Sequence, residues 1–512
     1  MASKDLEKSE NTSIRYQQST SSADSPDDFD AQFGGTEARK ALEKKLLRKI
    51  DLRMSILIVV YILNYIDRNN AGAARLRGFE ADLDLHGTEF ATLLSILYVG
   101  YIIMQVPSNM FLNYIGKPSF YLPACMIVWG AISCLTGVTH KYVRIFLVCL
   151  IVNLFGMWVS CHDGRLMYML GVLAWPPMLY GASRPPGRSR ATDPGYGVCS
   201  ALLTRFFLGF VEAAFFPGAL WTDLYDWPCK WPKRCWKMPG DGRFGSLFLI
   251  SKWYKRDEIG LRTAILYCGN IISNAFGALM ASGILSGMEG KLGHAAWRWL
   301  FFIEGALTIF IAALAILILP DFPTTTKWLS PQERVLAIRR MEEDAAGMGD
   351  SNEDSNTTAL QGLSMAVMDW RVWYMALALT SLTVALSFNA YFPTLTTTLG
   401  FDRTVSLLLC APPFVFAAIV AFCLSRHSDK VQERFFHIAG SLGLGIVGFI
   451  IAISTMNTAA RYISLFLMAQ MYGGFVILYA WISNSFTRPT AKRAVALALI
   501  NAFSQFGNIA GS

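Results

Sequence analysis

The run Met54–Ala74, MSILIVVYILNYIDRNNAGAA, constrains the chain most, because Asp67 and Arg68 interrupt it. Only 13 residues run from Met54 to Ile66, and a helix that crosses a bilayer needs about 20. The run cannot start earlier, since Lys49, Asp51 and Arg53 stand immediately upstream. A spanning helix must therefore continue through Asp67, Arg68, Asn69 and Asn70 to Ala74. At a rise of about 1.5 Å per residue, Asp67 lies roughly 20 Å from the Met54 end. A charge at that depth costs on the order of 3 kcal/mol, so it faces a cavity or a partner.

The rest of the chain repeats the apolar theme. Of 512 residues 53% are hydrophobic and 16% charged, and the mean hydropathy is +0.37. That balance, spread over many apolar runs, describes a polytopic all-α membrane protein. The net charge of +8 sits in short loops between apolar runs, where it orients the chain by the positive-inside rule. No nucleic-acid partner is expected. The ten cysteines form no C-x-x-C pair and no Cys/His alternation, so neither a disulfide framework nor a metal site is predicted. None of the six histidines falls mid-span, which argues against a histidine proton relay. Residues 1–50 lack the apolar core of a signal peptide. No nucleophile–base pair or phosphate-binding loop is visible in the spans, so no enzyme and no cofactor are expected.

Residues 1–53 read as a polar, disordered tail followed by a basic helical lead-in with Lys40, Lys44, Lys45, Arg48, Lys49 and Arg53, which places the N-terminus in the cytosol. The first half, 54–319, holds spans at about 54–74, 91–112, 120–139, 201–220, 263–285 and 299–319. Residues 320–371 are a polar central cytosolic loop, whose SPQE start (Ser330–Glu333) predicts a capped amphipathic helix. The second half, 372–512, holds spans at about 372–394, 404–424, 435–455, 460–482 and 492–511. With a cytosolic N-terminus every loop that must face the cytosol carries Lys or Arg. Six spans, a long polar loop and five more are read as a six-plus-six plan whose twelfth span is missing.

Several stretches carry a family resemblance: NYIDRNNAGAARL (64–76), LLSILYVGYIIMQVPSNMFLNYIGKP (93–118), LLTRFFLGFVEAAFFPGAL (202–220), WRWLFFIEGALT (297–308), LPDFP (319–323) and SRHSDKVQERF (425–435). The chain resembles the major facilitator superfamily, and within it the fungal anion:cation symporter group that includes allantoate and nicotinate permeases. The resemblance implies two six-helix halves around a central cavity lined by spans 1, 4, 7 and 10, and transport by alternating access. It implies a gate motif at the cytosolic helix ends, degenerate around Gly116 and Lys117 and better kept at Asp429, Lys430 and Arg434. Span 5 lacks the Pro-centred signature of drug/proton antiporters, which favours uptake by symport.

Asp67 and Arg68 point about 100° apart on a helix, so each needs its own partner. Arg205 lies about 6 Å below the outer face and Asp67 about 10 Å, taking a 30 Å core. An Asp67–Arg205 contact follows, as a proton site or a helix-to-helix clamp. Glu212, a lone mid-span carboxylate, is the candidate for proton coupling. Arg68 is the candidate for binding a carboxylate, which a guanidinium meets in bidentate fashion. Asn64, Asn389, Tyr391, Gln470 and Trp481 complete the candidate substrate contacts. Glu304 is assigned a structural partner. Gly440, Gly443, Gly445 and Gly448 are expected to pack helices.

Two segments fit poorly. Residues 142–200 contain two further apolar runs, 143–159 and 166–182, then arginines on the wrong side. Residues 221–246 are dense in Trp, Cys, Pro and Lys. Both are read as translated non-coding sequence, with real lineage-specific loops as the alternative. The expected function is proton-coupled uptake of a small organic anion such as a vitamin-like carboxylate or ureide, by a monomer in the lipid bilayer of the plasma membrane. A sugar or drug carrier and a non-transporting receptor or inactive relic are the alternatives.

Overall fold

The lead-in and the first apolar run form one continuous helix, α1 (Thr36–Arg75). Nothing between Thr36 and Arg75 breaks it, and Gly78 at φ 90° turns the chain beyond its end, a conformation glycine adopts without a Cβ clash. The computed structural model describes residues 33–115, 117–138, 195–213, 249, 253–323, 326, 328–346, 359–486 and 490–511. All regular structure among them is helical. The apolar runs at 143–159 and 166–182, the segment 221–246 and Gly116 lie outside the described residues.

After α1 come α2 (Glu89–Ile115), α3 (Pro118–Gly137), α4 (Gly195–Glu212), α5 (Arg256–Gly287) and α6 (Ala296–Ile318). The central connection contributes α7 (Pro331–Ala346) and α8 (Ala359–Met368). The second half follows with α9 (Trp370–Leu386), α10 (Phe392–Thr397), α11 (Arg403–Val431), α12 (Phe435–Ser454), α13 (Thr458–Ala469), α14 (Tyr472–Ser485) and α15 (Thr490–Gly511). Seven helical stretches among the described residues are long and apolar enough to cross a membrane. α1 is not among them, because Asp67–Asn70 dilute its C-terminal turns.

Two predicted spans are each broken in two. The run at 372–394 divides into α9, a 3-10 turn over Ser387–Tyr391, and α10. Pro393 stands in the first turn of α10, where its missing N–H is tolerated. The run at 460–482 breaks at Gln470, whose side-chain Nε2 donates to the carbonyls of Ser441 (2.7 Å) and Leu467 (3.1 Å). Breaks of this kind survive inside a membrane where neighbouring groups satisfy the freed backbone.

α3 packs along α6, α2 along α4, and α9 along α15. Between the halves, α5 packs on α11 and α15 on α2. The α2–α4 contact is close because two glycines interlock. A Cβ on Gly209 would lie 1.9 Å from the Leu97 carbonyl oxygen, and one on Gly100 2.1 Å from that of Phe206. This contact carries Arg205 and Glu212 up to α1. In α12, Gly445 and Gly448 pack on α13 and α14 as expected. Gly440 and Gly443 face open space instead, on a side where Phe436 and Ile450 are also exposed, as suits contact with lipid.

At the loop end, α7 is bound to the first half by ion pairs. Ser330 and Glu333 exchange reciprocal capping bonds (3.2 Å each), so the SPQE pattern does start this helix. Arg340, 1% exposed, lies between Glu43 of α1 and Glu258 of α5. Lys49 reaches Glu333, Lys255 reaches Glu43, and Arg39 reaches Glu343. Burial raises the Glu43 carboxyl, but Arg340 and Lys255 outweigh it and hold the group below its ordinary value.

Candidate functional site: the central cavity

Tyr61, Tyr65, Arg68 and Gly72 recur at four- and three-residue intervals along α1, so they share one face. That face lines a cavity of about 110 Å³ between the two halves. The first half adds Tyr98 and Tyr101 of α2, Arg205 of α4, and Tyr267 and Asn270 of α5. The second half adds Thr383, Ser387 and Asn389 around the α9 break, Tyr472 and Tyr479 of α14, and Asn501, Gln505 and Asn508 of α15. The α15 set was missed in the sequence, though its signal was there. Asn501, Gln505 and Asn508 stand at i, i+4 and i+7, a polar stripe on an otherwise apolar helix.

Asp67 points away from this cavity. Its carboxylate accepts from Trp129 Nε1 (2.9 Å), Ser133 Oγ (3.1 Å) and Thr308 Oγ1 (3.2 Å), tying α1 to α3 and α6. Three donors offset the desolvation of a buried carboxylate. The expected contact between the Asp67 and Arg205 side chains is therefore corrected. Arg205 donates from one terminal nitrogen to the backbone carbonyls of Asp67 (3.2 Å) and Arg68 (3.4 Å), and from the other to Asn70 Oδ1 (2.8 Å). Depth alone predicted proximity, and the two residues are close. Asp67 faces α3 and α6, however, leaving its peptide group toward α4. Asn70 in turn donates to Glu304 Oε2 (2.8 Å), the structural partner that Glu304 was expected to have.

Arg68 and Glu212 were read as independent, and they are an ion pair. Arg68 Nε donates to Glu212 Oε2 at 2.6 Å, with both side chains buried. The guanidinium also stands over the rings of Tyr101 (4.6 Å) and Tyr65 (5.2 Å), a favourable placement for a cation on an aromatic face. Glu212 Oε1 and Arg205 Nε have no hydrogen-bond partner among the described residues.

The remaining candidates divide. Asn389 lines the cavity and donates to Asn274 Oδ1 (3.0 Å). Asn64 is buried off the cavity wall, and its Nδ2 has no partner among the described residues. Tyr391 packs at the far end, its ring under Arg75 at 6.0 Å. Gln470 braces α13 against Ser441 of α12, and Trp481 packs in the second-half core. These last three are not among the residues that line the cavity. At the loop end Lys117 is exposed and Asp429 pairs with Arg434 (3.3 Å). Among the described residues no group of three or more His, Cys, Asp or Glu side chains is placed to hold a metal ion.

Residues 245–512 match the sequence profile of the Major Facilitator Superfamily. Over 91% of its length the chain is 28% identical to the MFS-type transporter cnsO of Penicillium expansum, covering 76% of that protein. It is 27% identical to an uncharacterized transporter of Schizosaccharomyces pombe, over 96% of this chain and 83% of that one. It is also 27% identical to a putative tartrate transporter of Agrobacterium vitis, over 83% and 77%. Among solved structures, an inward-facing, unoccupied bacterial homolog of the human lysosomal transporter Spinster superposes with a TM-score of 0.58 at 15% identity, over 90% of this chain and 81% of that one. A D-xylose–proton symporter superposes with a TM-score of 0.52 at 14% identity, over 90% and 88%. With two helical halves meeting at one central cavity and just over half its length in the family match, the chain belongs to the major facilitator superfamily and is an integral membrane secondary transporter, not an enzyme.

Proposed function

We propose that this transporter is a proton-coupled carrier for a small organic anion. One observation carries the reading. Among the described residues the cavity wall holds two guanidiniums, Arg68 and Arg205, and no carboxylate. The carboxylates that balance them, Glu212, Asp67 and Glu304, lie behind the wall. A site so arranged attracts an anion, and a guanidinium binds a carboxylate with two parallel hydrogen bonds. The relative named for tartrate, a dicarboxylate, is consistent with it.

Glu212 supplies the coupling. Deprotonated, it holds the Arg68 Nε; a proton bound there removes the charge that holds Arg68. The guanidinium is then available to the substrate carboxylate. Release of the substrate on the other side lets Glu212 lose its proton and take Arg68 back. One proton and one carboxylate then cross together. The basic loops support a reading in which the N-terminus and α7 are cytosolic, the carrier is a monomer in the plasma membrane, and the Asp429–Arg434 pair is part of the gate at the cytosolic end.

A second reading has an observation of its own. Asn69, Asn270, Asn389, Asn501, Gln505 and Asn508 give the wall a dense set of amides, which also suits a neutral polyol or sugar. Uptake of labelled organic acids and sugars into cells expressing the full chain, with and without a protonophore, separates the two. The anion reading requires saturable uptake of at least one carboxylate that the protonophore abolishes. Uptake confined to sugars overturns it.

A further inference from the structure

The hydrogen bonds that cross between the halves gather at the end of the cavity farthest from the N-terminus. Ser282 Oγ donates to the Thr404 carbonyl (3.0 Å) and Arg77 to Thr404 Oγ1 (3.0 Å). Deeper, behind the wall residues Asn69 and Asn389, stands Asn274 of α5, 7% exposed. Its Oδ1 accepts from Asn69 of α1 at 2.7 Å and from Asn389 of the second half at 3.0 Å. Its Nδ2 donates within α5 to the Asn270 carbonyl (3.2 Å), and its amide also hydrogen-bonds the Tyr472 hydroxyl of the second half. One oxygen thus holds one donor from its own half and one from the other.

Beside this triad the two backbones nearly touch. A Cβ on Gly72 would stand 2.6 Å from the Ala390 carbonyl oxygen, in the 3-10 turn that interrupts α9 and α10. The obstacle is backbone, so no rotamer change relieves it.

We propose that Asn274 is the far-side gate of the cavity and that Gly72 sets the distance at which that gate closes. When the halves part at this end, Asn389 leaves with the second half and Asn69 stays. The Asn274 oxygen keeps a donor throughout, so opening orphans no buried acceptor. The freed Asn389 amide turns to the water that enters. Such a gate opens by exchanging hydrogen bonds rather than by separating an ion pair. Its Asn69 follows Arg68 directly in the chain, which places closure next to the proposed anion point without depending on it.

The gate is tested by labelling rather than transport, so the result is independent of which substrate is carried. A cysteine placed by Asn508→Cys, in the cavity wall of the full-length chain, is exposed to a membrane-impermeant thiol reagent in vesicles of each orientation. Labelling at that site is read by mass spectrometry. Asn389→Ala removes the Asn389–Asn274 bond, and Gly72→Ala props the backbones apart. Each raises labelling from the face opposite the N-terminus, Asn389→Ala by on the order of fivefold, one neutral hydrogen bond's worth. Asn69→Ala acts the other way: the oxygen now depends on Asn389 alone, so labelling stays at or below the unsubstituted rate. The proposal is overturned if Asn389→Ala and Gly72→Ala both label at the unsubstituted rate, or if Asn69→Ala opens this face as much as Asn389→Ala does. Should Gly72→Ala fail to fold, the opposite responses of Asn389→Ala and Asn69→Ala decide it.

Discussion

Arg68 and Glu212 stand 144 positions apart in sequence and meet at 2.6 Å, Nε to Oε2, with both side chains buried. Neither residue is affordable in the membrane alone, and each is what makes the other tolerable. The pair also joins α1 to α4 beside the cavity, so it is both a structural tie and the proposed switch.

The two ends of this pair respond differently to substitution. Arg68→Leu leaves the Glu212 carboxylate buried without its cation and costs about 3–5 kcal/mol. Glu212→Gln keeps an acceptor for Arg68 Nε and is milder, at about 1–2 kcal/mol. Thermal unfolding of the detergent-purified variants checks the order. Equal losses would mean that the pair is not the buried tie described.

Asp67 and Arg205 provide a second test. Asp67 accepts from three side chains of α3 and α6, while Arg205 binds the peptide carbonyls of α1. Exchanging their charges, Asp67→Arg with Arg205→Asp, therefore rescues neither. An arginine at 67 faces three donors, and an aspartate at 205 faces carbonyl oxygens. The double variant is expected to give no monodisperse peak in size-exclusion chromatography. A folded double variant would restore a direct side-chain pairing.

The close contact of α2 and α4 predicts sensitivity at a residue with no polar role. Gly209→Ala drives a methyl into the Leu97 carbonyl and costs at least about 1–3 kcal/mol as α4 is pushed off α2. Because α4 carries Arg205 and Glu212, uptake should fall together with melting temperature. Unchanged values of both would contradict the packing.

The loop-end brace makes an acid-sensitivity prediction. Glu43 is held below its ordinary value by Arg340 and Lys255, against the opposing effect of burial. Such a carboxylate adds stability above its unfolded value of about 4.3, and that contribution is lost as pH falls through the lower folded value. Melting temperature should therefore be flat from neutral pH down to about pH 5 and drop below about pH 4.3. Arg340→Ala lowers it at neutral pH, by about 3 kcal/mol of stability, and flattens the acid drop. A variant whose acid profile parallels the parent would show that the pair does not hold α7.

Much of the helix plan was legible because each helix carries its own signal. The run predicted at 299–319 is α6, Ala296–Ile318, and Ser330 and Glu333 announced α7 by their capping spacing. Depth along a helix was also readable, so Asp67 and Arg205 were placed near one another. Azimuth was not, and it decided that Arg205 meets a carbonyl instead of a carboxylate. The Arg68–Glu212 pair and the Asn69–Asn274–Asn389 triad were out of reach for a related reason. Each joins helices distant in sequence, and a lone polar residue in an apolar run gives no indication of its partner. Gln470 and Trp481 stand off the wall that Tyr472 and Tyr479 line, again because azimuth is not written in an apolar run.

The central claim is that Glu212 releases Arg68 to the substrate carboxylate by taking up a proton. Initial uptake of a transported carboxylate into proteoliposomes, with and without an imposed pH gradient, tests it in the parent and in Glu212→Gln. The account predicts that the gradient accelerates uptake in the parent and has no effect in Glu212→Gln, which still exchanges labelled for unlabelled substrate. Gradient-driven uptake that persists in Glu212→Gln would contradict it.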